Sequence, residues 1–174
     1  MFGDPAGELA NITPVWLWPM AWLILVMGTI AVLASQSLKM LASYLIDVSA
    51  GTSTSLIEVS MNTPQAMSVA LHYLLHSTLS SAALLLHAGM TTEQRGQAQD
   101  RLVRARSVTQ TAMLGGFFFI AAVALIGMPP LSGFVGKVLL LQASIDNAAR
   151  VWPPLLISSL VALIMLSRAG STVF

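Results

Sequence analysis

Two histidines, His72 and His76, lie four positions apart in an apolar stretch of this 174-residue chain. At that spacing the two rings share one face of a helix. Histidine is the side chain best suited to passing protons near neutral pH, so the pair predicts a proton relay, with satisfied structural histidines as the alternative. A zinc site is less favoured, because the segment lacks the glutamate of the His-Glu-x-x-His pattern and no third ligand is evident. We therefore predict no metal site.

A lysine, Lys137, follows an interruption in a second apolar stretch. The residues from Gly127 to Gly133 read Gly-Met-Pro-Pro-Leu-Ser-Gly. Pro129 and Pro130 lack a backbone donor and disfavour a helical residue before them, so a continuous helix is not expected here. In lipid, the carbonyls freed by such a break need partners inside protein or in a wet cavity. We interpret Lys137 as an internal lysine that binds and releases a proton, with a snorkelling, interfacial lysine as the alternative.

Three further charged residues fall on one predicted helix. Lys39 and Asp47 are eight positions apart, and Glu58 returns to the same face eleven positions later. We expect this polar stripe to face protein and not lipid. Lys39 is either a relay residue or an exposed lysine at the membrane interface. Asp47 and Glu58 are either counter-charges to a lysine or histidine, or they line a wet crevice.

The overall composition is that of a membrane protein. The hydrophobic share is 56%, the charged share is 9% and the mean hydropathy is +0.79, which is more apolar and less charged than an average soluble domain. We predict an all-α integral membrane fold, a bundle of about five transmembrane helices with the fourth broken at the Gly-Met-Pro-Pro-Leu-Ser-Gly segment. The single membrane domain covers 1–174, with spans over 14–34, 40–60, 65–89, 111–149 and 155–173.

A polar loop over residues 90–110 sets the predicted orientation. It carries four arginines, so the positive-inside rule predicts that this Arg-rich loop is cytoplasmic. The turn before Lys39 is then cytoplasmic as well, and the N-terminus lies outside. Asp4 and Glu8 stand where a signal peptide would carry positive charge, so the first apolar stretch is expected to stay in the membrane.

Several classes of function are excluded by what the sequence lacks. Without cysteine there are no disulfides, thiolate metal sites, iron–sulfur clusters or cysteine nucleophiles. No Gly-x-Ser-x-Gly elbow and no phosphate-binding glycine loop occurs. The net charge is only +1 and the arginines gather in one loop, so nucleic acid is not an expected partner. We expect no cofactor and no covalent catalysis.

Three segments, each containing one of the candidate chemical groups, together resemble those of a known transporter family. They are Ser37 to Tyr44 with Lys39, Leu71 to Ser77 with the histidine pair, and Gly127 to Lys137 with the predicted break. Each is similar to a segment of the antiporter-like proton-translocating subunits shared by respiratory complex I and the Mrp-type multisubunit sodium/proton antiporters. Leu75 to Leu79, the arginine loop and Arg168 to Ser171 look most like the D-subunit branch of the Mrp antiporters.

The resemblance covers essentially the whole chain and implies a set of site residues. It implies that Lys39, His76 and Lys137 are stations of a proton path at the membrane midplane, with His72 as an accessory station. It also implies that the chain corresponds to the later half of a longer antiporter subunit in a bacterial plasma (inner) membrane. The implied partners are other membrane subunits, the lipid bilayer, protons and Na⁺.

On this basis we predict a transporter subunit and not an enzyme. Its function would be proton translocation in a multisubunit monovalent cation/proton antiporter. One alternative is a membrane subunit of a complex I-type NADH-quinone oxidoreductase, where the same helices would belong to a redox-driven proton pump. A second alternative is a truncated, non-transporting scaffold whose charges pair internally. The arginine loop favours the Mrp branch.

Overall fold

The computed structural model describes residues 12–60, 64–96, 101–103, 110–129, 131–145 and 148–174. Helices account for nearly all of these residues, and an isolated β-bridge joins Ser37 to Arg101. The six helices of the described part are α1 (Ile12–Ala34), α2 (Leu38–Ser60), α3 (Pro64–Arg95), α4 (Thr111–Ile126), α5 (Ser132–Ala143) and α6 (Ala148–Val173). The predicted all-α fold is confirmed.

Three described segments are long and apolar enough to cross a membrane: Trp16–Ala34, Ser68–Arg95 and Ala148–Val173. α4 and α5 are shorter apolar helices of 16 and 12 residues. Large apolar side chains such as Leu86 and Phe119, 72% and 67% exposed, cover the outside of the bundle. Helices of this kind present their apolar side chains to lipid, and the chain is a multi-pass membrane protein. α2 has 23 residues but is more polar, so the count of five spans stays a prediction.

Two predicted helix boundaries differ from the structure. α3 continues to Arg95, so residues 90–95 of the predicted loop are helical. Thr91 is accommodated there because its hydroxyl donates to a backbone carbonyl one turn earlier, at 2.8 Å. α6 begins at Ala148 and not at 155, so Pro153 and Pro154 lie inside it. Residues 97–100 and 104–109 of the loop lie outside the described residues.

The described part of the arginine loop lies against the turn between α1 and α2. The Leu102 N–H donates to the Gln36 carbonyl at 2.9 Å. The buried Arg95 guanidinium donates to the carbonyls of Arg101, at 2.7 Å, and Val103, at 2.6 Å. The two connections therefore lie at one end of the bundle, as the predicted topology requires. The cytoplasmic location of that end stays a prediction.

Two apolar clusters hold the helices together. The larger joins five helices and includes Val32, Leu41, Leu84, Phe118 and Leu166. The smaller joins α3, α5 and α6 through Ala70, Tyr73, Leu140, Val151 and Leu155. The polar groups described below lie where the two clusters meet.

α2 turns its leucines inward and its charges outward. Leu41 and Leu45 are buried, whereas Lys39 and Asp47 are exposed. Lys39 and Asp47 therefore lie on the outer surface of the described bundle, and that this surface faces protein stays a prediction. The reason for their outward position is that the leucines form the apolar stripe that packs on the core, and this stripe determines how the helix is rotated. The side chain of Glu58 lies outside the described residues, although its backbone belongs to α2.

Candidate functional site

α4 ends at a break that covers residues 127–131. Gly127 adopts a left-handed conformation, with φ of 75° and ψ of 49°, and its N–H donates to carbonyls of the last turn. Glycine takes this conformation without strain and commonly ends helices in this way. Pro129, which has no N–H, follows in the connecting turn, and α5 begins at Ser132. Pro130 lies outside the described residues.

The two prolines determine which carbonyls at the end of α4 lack an N–H donor within the helix. In a continuous helix the carbonyls of residues 125 and 126 would accept hydrogen bonds from residues 129 and 130, and both are prolines. The Met128 N–H, which would serve Ala124, donates instead to Val123 at 3.1 Å. The last turn of α4 therefore has carbonyl oxygens that need donors from elsewhere.

Gly133 allows α5 to fold back closely against α4 and α3. A Cβ at this position would lie 2.7 Å from His76 Nε2 and 3.1 Å from Gly127 Cα. It would also overlap the carbonyl oxygen of Ala124. The absence of a side chain at Gly133 is thus what brings the histidine of α3 into the break.

His76 bridges the two sides of the break. Its Nε2 lies 3.0 Å from the carbonyl oxygen of Ala124 on α4, and its Nδ1 lies 3.1 Å from the hydroxyl of Ser132 on α5. A carbonyl only accepts, so Nε2 carries a hydrogen and donates it. Nδ1 accepts from the Ser132 hydroxyl when the ring is neutral and donates to it when the ring is protonated. Both charge states therefore fit without movement of the ring.

Lys137 reaches back from α5 to the end of α4. Its Nζ donates to the Ile126 carbonyl oxygen and, at 2.7 Å, to the Ser159 hydroxyl oxygen on α6. The side chain is half-buried, and both hydrogen bonds are made inside the bundle. This geometry supports an internal lysine over one that snorkels to the membrane interface.

A cavity of about 20 Å³ lies beside Lys137 between α2, α3, α4, α5 and α6. This is space for about one water molecule. The polar residues that line the cavity with the lysine are Ser49, Thr52, Tyr73, Ser158 and Ser159. The Tyr73 hydroxyl makes side-chain hydrogen bonds with Thr52 and Ser49. Lys137 therefore faces a small space between five helices, with several hydroxyl groups in its lining.

The structure brings two of the four predicted proton-translocation residues together at the break, His76 and Lys137. His72 is exposed on α3, where its ring lies beside Gly136 of α5. Lys39 is exposed in the first turn of α2, at the loop end of the bundle. Asp47 is exposed on α2. Because the two hydrogen bonds of Lys137 go to a carbonyl and a hydroxyl, the structure gives no support for Asp47 as the counter-charge of Lys137.

Three residues of this site were not singled out from the sequence as functional: Tyr73, Ser132 and Ser159. Tyr73 follows His72 in the sequence, and Ser132 precedes Gly133 of the predicted break. Adjacency in sequence does not show whether the hydroxyl of either residue points toward the site. Ser159 is 22 positions from Lys137 and has no local signal at all. Within the described ranges, no three histidine, aspartate or glutamate side chains come together as metal ligands.

An α-helical membrane bundle with an interrupted helix, whose end is held by a histidine and a lysine, is an arrangement typical of membrane transport proteins. Comparison with known proteins defines the family. Residues 7–165 match the family described as "NADH:quinone oxidoreductase/Mrp antiporter, TM", and the chain belongs to this family.

The chain is also similar to individual antiporter subunits. It is 31% identical over 204 aligned residues to the D subunit of a probable K(+)/H(+) antiporter of Rhizobium meliloti (strain 1021), covering 100% of the chain and 38% of the relative. It is 35% identical over 123 residues to the D subunit of a Na(+)/H(+) antiporter of Bacillus subtilis (strain 168), covering 71% of the chain and 24% of the relative. The matches thus span less than two fifths of these relatives. Both relatives are D subunits, which confirms the resemblance to that branch.

Proposed function

We propose that this chain supplies a proton-transfer site to a multisubunit monovalent cation/proton antiporter. Membership of the family and the similarity to two antiporter D subunits support the transporter class. The observation that carries the proposal is the environment of Lys137. Its amine is held by the Ile126 carbonyl and the Ser159 hydroxyl beside a cavity of about 20 Å³.

The hydrogen bonds of Lys137 leave one proton free to exchange. Ser159 donates its own hydrogen to the Leu155 carbonyl at 2.7 Å, so its oxygen accepts from the lysine. The Ile126 carbonyl accepts as well. A protonated amine has three N–H groups, and these two bonds use two of them. The third proton can pass to a water in the cavity, which leaves a neutral amine with both bonds intact and a lone pair to take a proton back.

His76 is the proposed neighbour of Lys137 in the proton path. The two side chains hold carbonyls only two positions apart in the last turn of α4, those of Ala124 and Ile126. His76 takes a proton at Nδ1 from the side of Ser132 and keeps its bond to Ala124 throughout. We propose His72 and Lys39 as accessory stations, at the α3–α5 edge and the loop end respectively. Glu58 is the candidate counter-charge.

The proposed setting follows the resemblance and the names of the relatives. The chain would lie in a bacterial inner membrane with its N-terminus outside and the arginine loop in the cytoplasm. Its partners would be other membrane subunits of the antiporter. The exchanged cation would be Na⁺, although one of the two relatives is named for K⁺ and the other for Na⁺.

A structural role for the same groups is the second candidate function. Lys137 and His76 both donate to carbonyls at the end of α4, and buried carbonyls without donors are costly. A scaffold would need these bonds even if no proton moved.

The substitution Lys137→Arg separates the two functions. Arginine keeps a positive charge and several N–H donors but does not lose its proton in proteins. In the complete antiporter reconstituted in vesicles, we expect Lys137→Arg to assemble normally while cation-dependent proton flux falls at least about tenfold. Arg150→Lys, a similar exchange at an exposed position, is the control and should leave the flux unchanged. If Lys137→Arg retains full proton flux and Lys137→Ala fails to assemble, proton transfer at Lys137 is refuted and only the structural role remains.

A further inference from the structure

We propose that the outer face of α2 and α3 is the docking surface for a transmembrane helix of a partner protein that carries a lysine or arginine. The surface consists of Asp47 and the groove beside it. This inference goes beyond proton transfer at Lys137, because it requires only that the bundle lies in a membrane.

Asp47 lies at a depth where a carboxylate cannot face lipid without a large cost. A Cβ on Gly28 of α1 would lie 3.5 Å from the carbonyl carbon of Asp47, so the two residues are at the same level of the bundle. The candidate span of α1 runs over Trp16–Ala34, and Gly28 is six residues from its nearer end, about 9 Å along the helix. The Asp47 side chain is nevertheless exposed. Ionisable side chains within membrane spans pair with one another or face a protein interior.

A groove of about 540 Å³ runs between α2 and α3, and Ile46, the residue before Asp47, belongs to its lining. Serine, threonine and alanine line most of it, including Ala50 and Thr54 of α2 and Ser77 of α3. Ala50 and Thr54 are three and seven positions after Asp47, so all three share one face of α2. Small residues at a helix surface let another helix approach closely in a membrane, where packing is a main force that joins helices.

The Ser81 hydroxyl gives a second, independent indication that this groove receives a partner. Ser81 lines the groove, is only 3% exposed, and its oxygen has no hydrogen-bond partner within the described structure. Its neighbours are satisfied differently. Ser77 donates to the Leu74 carbonyl at 3.1 Å, and Ser53 donates to the Ser49 carbonyl at 2.9 Å. An unpaired buried hydroxyl is unfavourable, and rotation of the Ser81 side chain toward a polar group on a docked helix would remove that cost.

The charge of Asp47 identifies the kind of occupant. A lipid acyl chain would fit the apolar walls of the groove, but it has no donor for a carboxylate or for Ser81. A helix with a basic side chain level with Asp47 supplies an ion pair and excludes water from it. Small residues on the same helix would fill the groove. The occupant is therefore a membrane helix with a lysine or arginine near its middle.

Photo-crosslinking in native membranes tests this docking. A p-benzoylphenylalanine at Ala50 or Thr54 of the full chain should form adducts with a transmembrane peptide of another protein, and mass spectrometry should locate a lysine or arginine within about one turn of the cross-linked residue. The matched control is the same probe at Leu23, 64% exposed on α1, which should react with lipid only. Adducts only with lipid, or only with this same chain, would overturn the proposal.

Charge exchange at Asp47 completes the test. Asp47→Lys should lower the cross-linking yield at Thr54 at least about tenfold, and replacing the identified basic residue of the partner with aspartate should restore it. Asp47→Asn, which keeps the size of the side chain, should give an intermediate yield. An unchanged yield in Asp47→Lys would refute the proposed ion pair. None of these measurements depends on proton flux, so failure here is distinct from failure of the site at Lys137.

Discussion

The substitution Gly133→Ala tests whether close contact at the break holds the site together. The added Cβ would lie 2.7 Å from His76 Nε2 and would overlap the Ala124 carbonyl oxygen. The overlapped oxygen belongs to the backbone of α4, which cannot rotate away as a flexible side chain can. α5 must therefore move outward, and the His76–Ala124 hydrogen bond must lengthen or break.

The expected loss of stability is the sum of two effects. Forcing a methyl group into a packed interior costs about 1–3 kcal/mol. The Ala124 carbonyl also loses one of its two donors and keeps the Gly127 N–H, which costs about 0.5–1.5 kcal/mol more. Gly133→Ala should thus lower the free energy of unfolding by about 1.5–4.5 kcal/mol, and it should also reduce proton flux because His76 no longer lies in the break.

Gly116→Ala is the matched control, because it adds the same methyl group to a helical glycine of α4 that has nothing within 4 Å of the new atom. Alanine is about 1 kcal/mol better than glycine in a helix, so this variant should be as stable as the original protein or slightly more so. Denaturant titration of both variants in the same detergent measures the difference. Equal stability of Gly133→Ala and Gly116→Ala would refute the proposed contact.

Three further substitutions follow from the same geometry. Gly127→Ala places a side chain at a φ of 75° and should destabilise the protein by about 1–3 kcal/mol in a denaturant titration, whereas a change near zero would contradict the left-handed turn. His76→Ala should cost about 0.5–1.5 kcal/mol by the same measurement, because the Ala124 carbonyl loses one of its two donors and keeps the Gly127 N–H. Arg95→Lys removes the guanidinium whose two nitrogens donate to two loop carbonyls, so amide hydrogen exchange at Leu102 should become faster. An unchanged exchange rate at Leu102 would contradict this role of Arg95.

The break and the lysine that follows it were predictable from the sequence because their signals are local. Pro129, Pro130 and the glycines act on their own backbone, so their effect on a helix needs no knowledge of the rest of the fold. The position of Lys137 soon after the break follows from its position in the sequence. The family resemblance implied that His76 and Lys137 share a proton path, but nothing in the sequence placed His76 at the break.

The remaining parts of the site depend on how helices rotate against one another. The stripe of Lys39 and Asp47 was expected to face protein, and the buried leucines of α2 set its rotation so that the stripe lies on the outer face of the bundle. Tyr73 and Ser159 meet at the Lys137 cavity through contacts between helices. Such contacts have no periodicity that a single sequence reveals. The continuation of α3 to Arg95 was not predicted because polar residues such as threonine and arginine are common in loops. In the structure, Thr91 makes its hydrogen bond within the helix and Arg95 makes its hydrogen bonds from the helix end.

The direction of α4 has a consequence for the electrical balance around Lys137. Peptide dipoles add along a helix and leave about half a negative elementary charge at its C-terminus. The Lys137 ammonium lies at that terminus, so α4 itself offsets part of the positive charge in the membrane. Unlike an aspartate or glutamate, a helix dipole cannot take up a proton. The offset therefore stays constant when the pH falls, and only the amine changes its charge.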